Sequence, residues 1–398
     1  MTRHRDTLLT AMAEPPGANQ RPVTMPVCLS THFVIDDALN AAMKEGDYRS
    51  QFLYTRMGNP TVQALERRLA ELHEAPACVA TASGMAALST ALIALTKPGD
   101  VIVADTHLYG VSVTLLKRYL ATMGRDVDFV ALDHPDALTH AHAKHGSVAW
   151  VLGETISNPL LKVLDIPAIV ARARAVGARV MIDNTFAGPL VCSPLAVGAD
   201  VVVESLSKSF SGHGEAHGGA VLGAEADLQL IWEAMIHLGG CLDPDAAYRI
   251  WRGSRSLHLR VERASENVRI LRDALETCRD VEVIYGRRDS PETLPAWMHT
   301  GGTMLAFVLR GGDERALRWL EHLRVIVPAT SLGSIESLAS LPFNTSHRDP
   351  DARAASGILP GTVRLSVGCE HVQDLIDDIM QALDATCPGK SSDADDEA

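Results

Sequence analysis

The sequence predicts a mostly parallel α/β sheet domain followed by a smaller α+β domain, and three observations carry that reading. First, seven short apolar segments recur over the first 225 residues: ACVATA (77–82), DVIVAD (100–105), DVDFVAL (126–132), SVAWVLGE (147–154), ARVMIDN (178–184), ADVVVES (199–205) and GGAVLG (218–223). Second, helical patterns separate them, among them GMAALSTALIAL (84–95), SVTLLKRYLATM (112–123) and IPAIVARARAVG (166–177). Apolar strands joined by helical crossovers predict a seven-stranded, mostly parallel sheet covered on both faces. Third, the pattern changes near residue 240. A long amphipathic stretch, 243–277, is followed by the apolar segments TMLAFVLR (303–310), RVIVPATSL (324–332) and TVRLSVG (362–368) and a final helix over 371–385.

Before the first strand, residues 1–58 read as an arm, with Pro15, Pro16, Pro22 and Pro26 ahead of a short helix pattern, DDALNAAMKEG. A clear helix begins at NPTVQALERRLAELHEA, where Asn59 suits the cap, Pro60 the first turn, and Val62, Leu65, Leu69 and Leu72 recur at helical spacing. The expected organisation is an arm (1–58), an α/β domain (59–245), a C-terminal α+β domain (246–388) and a polar, acidic tail (389–398) expected to be disordered.

Composition bounds the function. The 398 residues are 46% hydrophobic and 21% charged, as in a soluble globular protein. No apolar run approaches the roughly 20 residues of a membrane span. A net charge of −13 argues against a nucleic-acid partner, because a phosphate backbone needs a basic face. Seven scattered cysteines without a CxxC pair read as reduced thiols, and the N-terminus lacks the apolar core of a signal peptide. The expected location is cytoplasmic.

The chemistry gathers at segment ends. Lys208 follows an apolar strand and stands between Ser207 and Ser209. A lysine partly withdrawn from water loses some of its preference for the ammonium form, and a neutral amine is the nucleophile that Schiff-base chemistry requires. Alone, that setting also suits a structural lysine whose ammonium reaches solvent. Asp183 ends the preceding strand; beside a cofactor lysine it suits a pyridinium nitrogen, and in isolation it suits a turn. Ser83, Gly84 and Met85 fall at a strand-to-helix turn, where helix amides make an anion site. Tyr54 and Arg56 offer a phenol and a guanidinium for a phosphate. His213, Glu215 and His217 stand in a glycine-rich loop without metal-motif spacing, so no metal site is expected.

Taken together these segments resemble one family. LYTRMGNPTVQALERRLAEL, ATASGMAA, HLYG, ETISNPLLKVLDI, MIDNTFAGP, SLSKSFSGHGEAHGG, SLGSIESLASLP and VRLSVGCEHVQDLIDDI follow in order across residues 20–385. They are similar to the pyridoxal-phosphate (PLP) enzymes of cysteine and methionine metabolism, the cystathionine γ-synthase, γ-lyase and methionine γ-lyase group. The resemblance implies the PLP-dependent fold type I, aspartate aminotransferase-like, and a homotetramer built from two active-site dimers. It implies that Lys208 holds the cofactor and moves protons, that Asp183 faces the pyridinium and Asn158 the ring's 3-oxygen, and that Tyr109 stacks on the ring and serves as acid or base. Ser83, Gly84, Met85, Ser205 and Ser207 would cup the phosphate, completed by Tyr54 and Arg56 of a neighbouring subunit. Arg364 would bind the substrate α-carboxylate, with Ser331, Thr330 and Asn158 beside it.

Some positions depart from the family. Phe210 stands where a tyrosine is usual, and GHGEAHGG replaces GHSD. Thr330 and Thr114 replace a glutamate and an arginine frequent in members that handle cystathionine, while Val111 and Ser112 occupy the place of the methionine-lyase cysteine. The expected activity is γ-elimination on a homocysteine- or homoserine-derived L-amino acid such as methionine, with γ-replacement or β-elimination of cysteine derivatives as alternatives. A non-catalytic scaffold is disfavoured by the complete set of cofactor and carboxylate residues.

Overall fold

The computed structural model describes residues 4–11, 22–47, 49, 51–286, 288–290, 292–345, 353–354 and 356–387. Pro15, Pro16 and the tail 389–398 lie outside the described residues. The chain divides into two compact units. The first comprises Met1–Ile156, Leu164–Leu259 and Ala296–His299; the second comprises Ser157–Val163, Arg260–Pro295 and Thr300–Ala398. The short segment Ser157–Val163, inside a stretch expected to lie wholly in the α/β domain, thus belongs to the second unit.

In the first unit the arm carries α1 (Arg5–Thr10) and α2 (Asp37–Glu45), and α3 (Pro60–His73) follows. Asn59 caps α3 through its side-chain oxygen, which accepts from the Thr61 amide at 2.9 Å. Next come β1 (Ala77–Thr81), α4 (Gly84–Leu95), β2 (Val101–Asp105), α5 (Gly110–Thr114), β3 (Asp126–Val130), α6 (Ala137–His145), β4 (Trp150–Glu154) and α7 (Ile166–Ala175). β5 (Arg179–Asp183), β6 (Val201–Glu204), β7 (Gly219–Gly223), α8 (Glu225–Leu238) and α9 (Pro244–Ser254) complete it. All seven expected strands form. After α5 the expected helix changes pitch, running as a π-helix over Leu115–Leu120 and a 3-10 turn over Ala121–Met123.

The seven strands lie in the order β1-β7-β6-β5-β4-β2-β3, and every neighbouring pair is parallel except the two involving β7. Two successive reversals leave β1 parallel to β6, so the C-terminal ends of β1, β2, β4, β5 and β6 share one edge. Ligands bind at that edge in open α/β sheets. Except for β3 at the sheet edge, the strands are buried as near-continuous apolar runs, with Leu88, Leu92, Ile102, Leu152, Met181, Val221 and Ile231 in one core with α4 and α8.

Where the sequence suggests one helix over 243–277 there are two, α9 and α10 (Leu257–Glu276). The break falls at residues 255–256, flanked by Ser254 Oγ donating to the Trp251 carbonyl (2.7 Å) and Ser256 Oγ to that of Gly253 (3.3 Å). Such side-chain bonds compete with helix continuation.

The second unit has a five-stranded sheet in the order β10-β11-β12-β9-β8, built from β8 (Val281–Tyr285), β9 (Met304–Leu309), β10 (Val327–Pro328), β11 (Leu338–Ser340) and β12 (Thr362–Ser366). Only β10–β11 is parallel. Helices α11 (Gly312–Glu321) and α12 (Val372–Ala385) enclose Phe307, Trp319, Leu365 and Leu375 in a second core. Asp378 of α12, although buried, accepts from the amides of Arg324, Val325 and Ile326 at 2.8–2.9 Å, fixing the chain that leads into β10. Among the described residues no helix is long and apolar enough to cross a membrane.

Candidate active site

Polar groups of the first unit gather where β1, β4, β5 and β6 end. The register pairs Glu154 with Asp183 at the ends of β4 and β5. Asp183 Oδ1 accepts from the Thr185 amide at 2.9 Å, and Thr185 Oγ1 accepts in turn from the Ser205 amide at 2.9 Å. Burial raises the Asp183 carboxyl above the usual carboxylate range; Thr185 lowers it again in part, and the Glu204 charge adds to the rise. Glu154 is pushed up further, first by burial and then by the Asp183 charge, and its Oε1 accepts from the Tyr109 amide at 2.5 Å. That bond fixes the backbone from which the 42%-exposed Tyr109 side chain projects.

The turn between β1 and α4 is closely packed. Ser83 caps α4, its Oγ accepting from the Ala86 amide at 3.1 Å. Helix geometry leaves the amides of Gly84 and Met85 without intrahelical acceptors. A Cβ on Gly84 would stand 2.7 Å from Ser205 Cβ, and one on Gly219 would stand 2.2 Å from the Ser83 carbonyl oxygen. Glycine is required at both places because the segments that carry Ser83, Ser205 and Ser207 meet there. Ser207 Oγ accepts from the Gly218 amide (3.0 Å) and lies 3.2 Å from the Gly218 carbonyl, and Leu206 N donates to the same carbonyl (3.0 Å). Lys208, half-buried, follows in a turn closed by its own amide to the Ser205 carbonyl (3.3 Å) and by the Gly212 amide to the Lys208 carbonyl (2.9 Å).

In the second unit Arg364, 9% exposed in the middle of β12, donates from Nη1 to Asn158 Oδ1 (3.1 Å) and from Nη2 to the Ser331 carbonyl (3.0 Å). Both acceptors are neutral, so these bonds aim the guanidinium without cancelling its charge. Ser331 adopts φ = 91°, a left-handed conformation costly for any residue but glycine. The chain beyond it is tied down by the Gly333 amide to Ser366 Oγ at 2.9 Å. Asn158 belongs to a tight loop in which Ser157 bonds Lys162 through backbone (2.9 Å) and side chain (3.1 Å). A buried, pre-aimed guanidinium with a planar fork suits a carboxylate.

The remaining expected residues have other settings. Arg56 donates to the Ile236 carbonyl (2.7 Å) and lies over the Tyr54 ring (5.7 Å), and Tyr54 is exposed. Thr330 is exposed, and Thr114 Oγ1 is engaged with the Gly110 carbonyl at 3.1 Å. Glu215 faces Arg249 (3.8 Å) and Arg252 (3.5 Å) of α9. Among the described residues no cluster of His, Cys, Asp and Glu is grouped to hold a metal ion.

An amine, a buried carboxylate and a hydroxyl-lined helix terminus on this sheet define a PLP-dependent enzyme of fold type I. The chain belongs to the Cys/Met metabolism PLP-dependent enzyme family, whose match runs over residues 6–384. It is 35% identical over 371 residues to an L-methionine gamma-lyase of Fusobacterium nucleatum subsp. polymorphum, covering 91% of this chain and 93% of that one. A cystathionine beta-lyase of Lactococcus lactis subsp. cremoris is 36% identical over 342 residues, covering 84% and 89%. The solved cystathionine gamma synthase of Xanthomonas oryzae pv. oryzae, in complex with aminoacrylate and cysteine, superposes with a TM-score of 0.89 at 32% identity, over 97% of this chain and 99% of that one.

The residues present fit PLP. The turn of Ser83, Gly84 and Met85 with Ser205 and Ser207 offers amides and hydroxyls to a phosphate, and a buried carboxylate such as Asp183 suits a protonated ring nitrogen. Sequence reasoning missed Glu154, Thr155, Asn184 and Glu204. Their signal was available, since the segments GET (153–155), IDNT (182–185) and VES (203–205) each end an apolar strand in polar residues.

Proposed function

We propose that this enzyme catalyses γ-elimination on a homocysteine- or homoserine-derived L-amino acid, such as methionine or an O- or S-substituted homoserine. With methionine and water the products are 2-oxobutyrate, ammonia and methanethiol. What carries the reading is the match to an L-methionine gamma-lyase along nearly the whole of both chains, together with the Lys208–Asp183 and Arg364–Asn158 sets. When bound, PLP supplies an electron sink for the pair left at the substrate α-carbon. In this reading Lys208 Nζ tethers the cofactor, removes the α-proton and carries protons onward. Asp183 holds the ring nitrogen protonated, and Tyr109 offers its phenol as acid to the departing group. Ser83, Gly84, Met85, Ser205 and Ser207 hold the phosphate. Arg364, aimed by Asn158 and Ser331, holds the α-carboxylate.

The cystathionine beta-lyase among the relatives favours β-elimination of a cysteine derivative as the second reading. Product identification separates the two, because γ-elimination gives 2-oxobutyrate and β-elimination gives pyruvate. Thr114 and Thr330 bring no charge to the substrate side chain, and Glu215 is engaged by Arg249 and Arg252. A missing charge-assisted contact costs about 1.5–3 kcal/mol, roughly ten- to a hundredfold in selectivity. Cystathionine is therefore expected to have a kcat/KM about ten- to a hundredfold below that of the best homoserine-type substrate. Its emergence as the best of a panel would sink the idea.

The same proposal includes a homotetramer in which Tyr54 and Arg56 serve a neighbouring subunit's phosphate. The arm's exposed apolar residues support it: Val34 is 87% exposed, with Leu29, Val23 and Ile35 also open to solvent. Mixing Arg56→Ala with Lys208→Ala subunits is expected to restore part of the activity, because one site of a mixed dimer would be intact. A fully active monomer in sedimentation would refute it. With all seven cysteines free, the proposed setting is the reducing cytoplasm.

A further inference from the structure

We propose that His73, at the end of α3, is a positioning residue for the turn that carries Lys208, acting through Glu204 on one side and Phe210 on the other. The proposal rests on the PLP reading above. Consecutive strand residues face opposite sides of a sheet. Asp183 and its register partner Glu154 therefore face one way, and Asn184, Thr155 and Glu204 face the other. On that second face Thr155 Oγ1 donates to Asn184 Oδ1 (2.6 Å), and Asn184 Nδ2 donates to Glu204 Oε1 (2.9 Å) and to the Cys192 carbonyl (3.2 Å). The chain ends at His73, whose Nε2 lies 3.3 Å from Glu204 Oε2. Thr155, Asn184, Glu204 and His73 are all at most 1% exposed.

Beyond this contact the His73 ring nitrogens and Glu204 Oε2 have no hydrogen-bond partner among the described residues. A buried carboxylate oxygen left without a donor is costly, and His73 Nε2 is the group that faces Glu204 Oε2 at 3.3 Å. The other neighbour of His73 is Phe210, 1% exposed, its ring stacked at 6.3 Å between centroids and 22° between planes. Phe210 is two residues from Lys208 in a turn tightened by the Ser211 amide to the Leu206 carbonyl (3.1 Å). A Cβ on Gly253 would stand 2.1 Å from the Ser211 carbonyl, so α9 closes directly over this turn. A shift of His73 therefore has few ways to be absorbed before it reaches Lys208. The pair also has an electrostatic reach, since the Glu204 charge bears on Asp183. His73 Nε2, facing Glu204 Oε2 at 3.3 Å, draws that charge away from Asp183 and so preserves Asp183 as a partner for the ring nitrogen.

The test uses full-length His73→Gln, Glu204→Gln and the double variant, reading the equilibrium dissociation of PLP by absorbance, kcat, and KM separately. His73→Gln is expected to weaken PLP binding about tenfold and lower kcat, leaving KM for the amino acid within twofold. Adding Glu204→Gln should return PLP binding to within about threefold of wild type, because the charge is removed while the amide oxygen still accepts from Asn184. A double variant no better than His73→Gln, or a His73→Gln that binds PLP like wild type, overturns the proposal. Should His73→Gln fail to fold, Glu204→Gln carries the test: PLP binding should stay within threefold of wild type or tighten, and a tenfold loss refutes the electrostatic role. Wild-type protein that binds no PLP would instead sink the underlying reading, which keeps the two failures distinct.

Discussion

Lys208→Ala is expected to lower kcat by about a thousandfold or more at saturating PLP, with thermal unfolding of the protein little changed. The side chain is assigned two tasks that no alanine performs, covalent attachment of the cofactor and transfer of the α-proton. Proton transfer by a positioned group is by itself worth about 10²–10⁴-fold. The backbone of the turn is held independently of the amine, by the Lys208 amide to the Ser205 carbonyl at 3.3 Å and the Gly212 amide to the Lys208 carbonyl at 2.9 Å. The turn should therefore survive the substitution, and the loss should be chemical. A second readout separates attachment from catalysis. Borohydride reduction of the loaded wild type should fix the cofactor's mass on the peptide containing Lys208 and leave no such mass in the variant. Retention of more than a tenth of wild-type turnover would remove Lys208 from the chemistry.

The first unit was legible because its signals are local. Asn59 and Pro60 mark the start of α3, and the strands of the large sheet other than β3 are mainly apolar runs that end near polar or glycine residues. The polar strand ends made Asp183 and Lys208 visible as residues before any partner was known. The pairing of His73 with Glu204 was not visible, because it joins a helix end to a strand end far apart in the chain. Glu204 carries the signal of a polar strand end, but His73 alone reads as an ordinary helix-end residue in sequence. The second unit was read less completely for a related reason. β11 has three residues and β8 is only partly buried, so neither shows a continuous apolar run. The assignment of Ser157–Val163 to the second unit depends on tertiary contacts, which the turn residues Ser157, Asn158 and Pro159 do not specify by themselves. Arg364, Asn158 and Ser331 came from resemblance alone; their convergence depends on β12 and on a left-handed Ser331 that no spacing rule encodes.

That convergence makes Arg364 the second position at which a single change should have a large effect. Arg364→Lys keeps the positive charge and most of the side-chain length, so a loss must come from geometry. The guanidinium now gives one nitrogen to Asn158 Oδ1 (3.1 Å) and another to the Ser331 carbonyl (3.0 Å), which fixes the plane of the fork. An ammonium has no such plane and cannot hold both acceptors while presenting two parallel N–H groups to a carboxylate. Losing one partner of a buried, hydrogen-bonded charge pair costs about 2–5 kcal/mol, roughly thirty- to several-thousandfold. We therefore expect kcat/KM for the amino acid to fall by about a hundredfold or more, with PLP affinity within about twofold of wild type. The signature of the assigned role is selectivity for the α-carboxylate. Wild type should bind an amino-acid inhibitor far more tightly than the corresponding amine lacking the carboxylate, and Arg364→Lys should lose most of that difference. If the preference survives intact in the variant, the α-carboxylate is held elsewhere and the assignment of Arg364 fails.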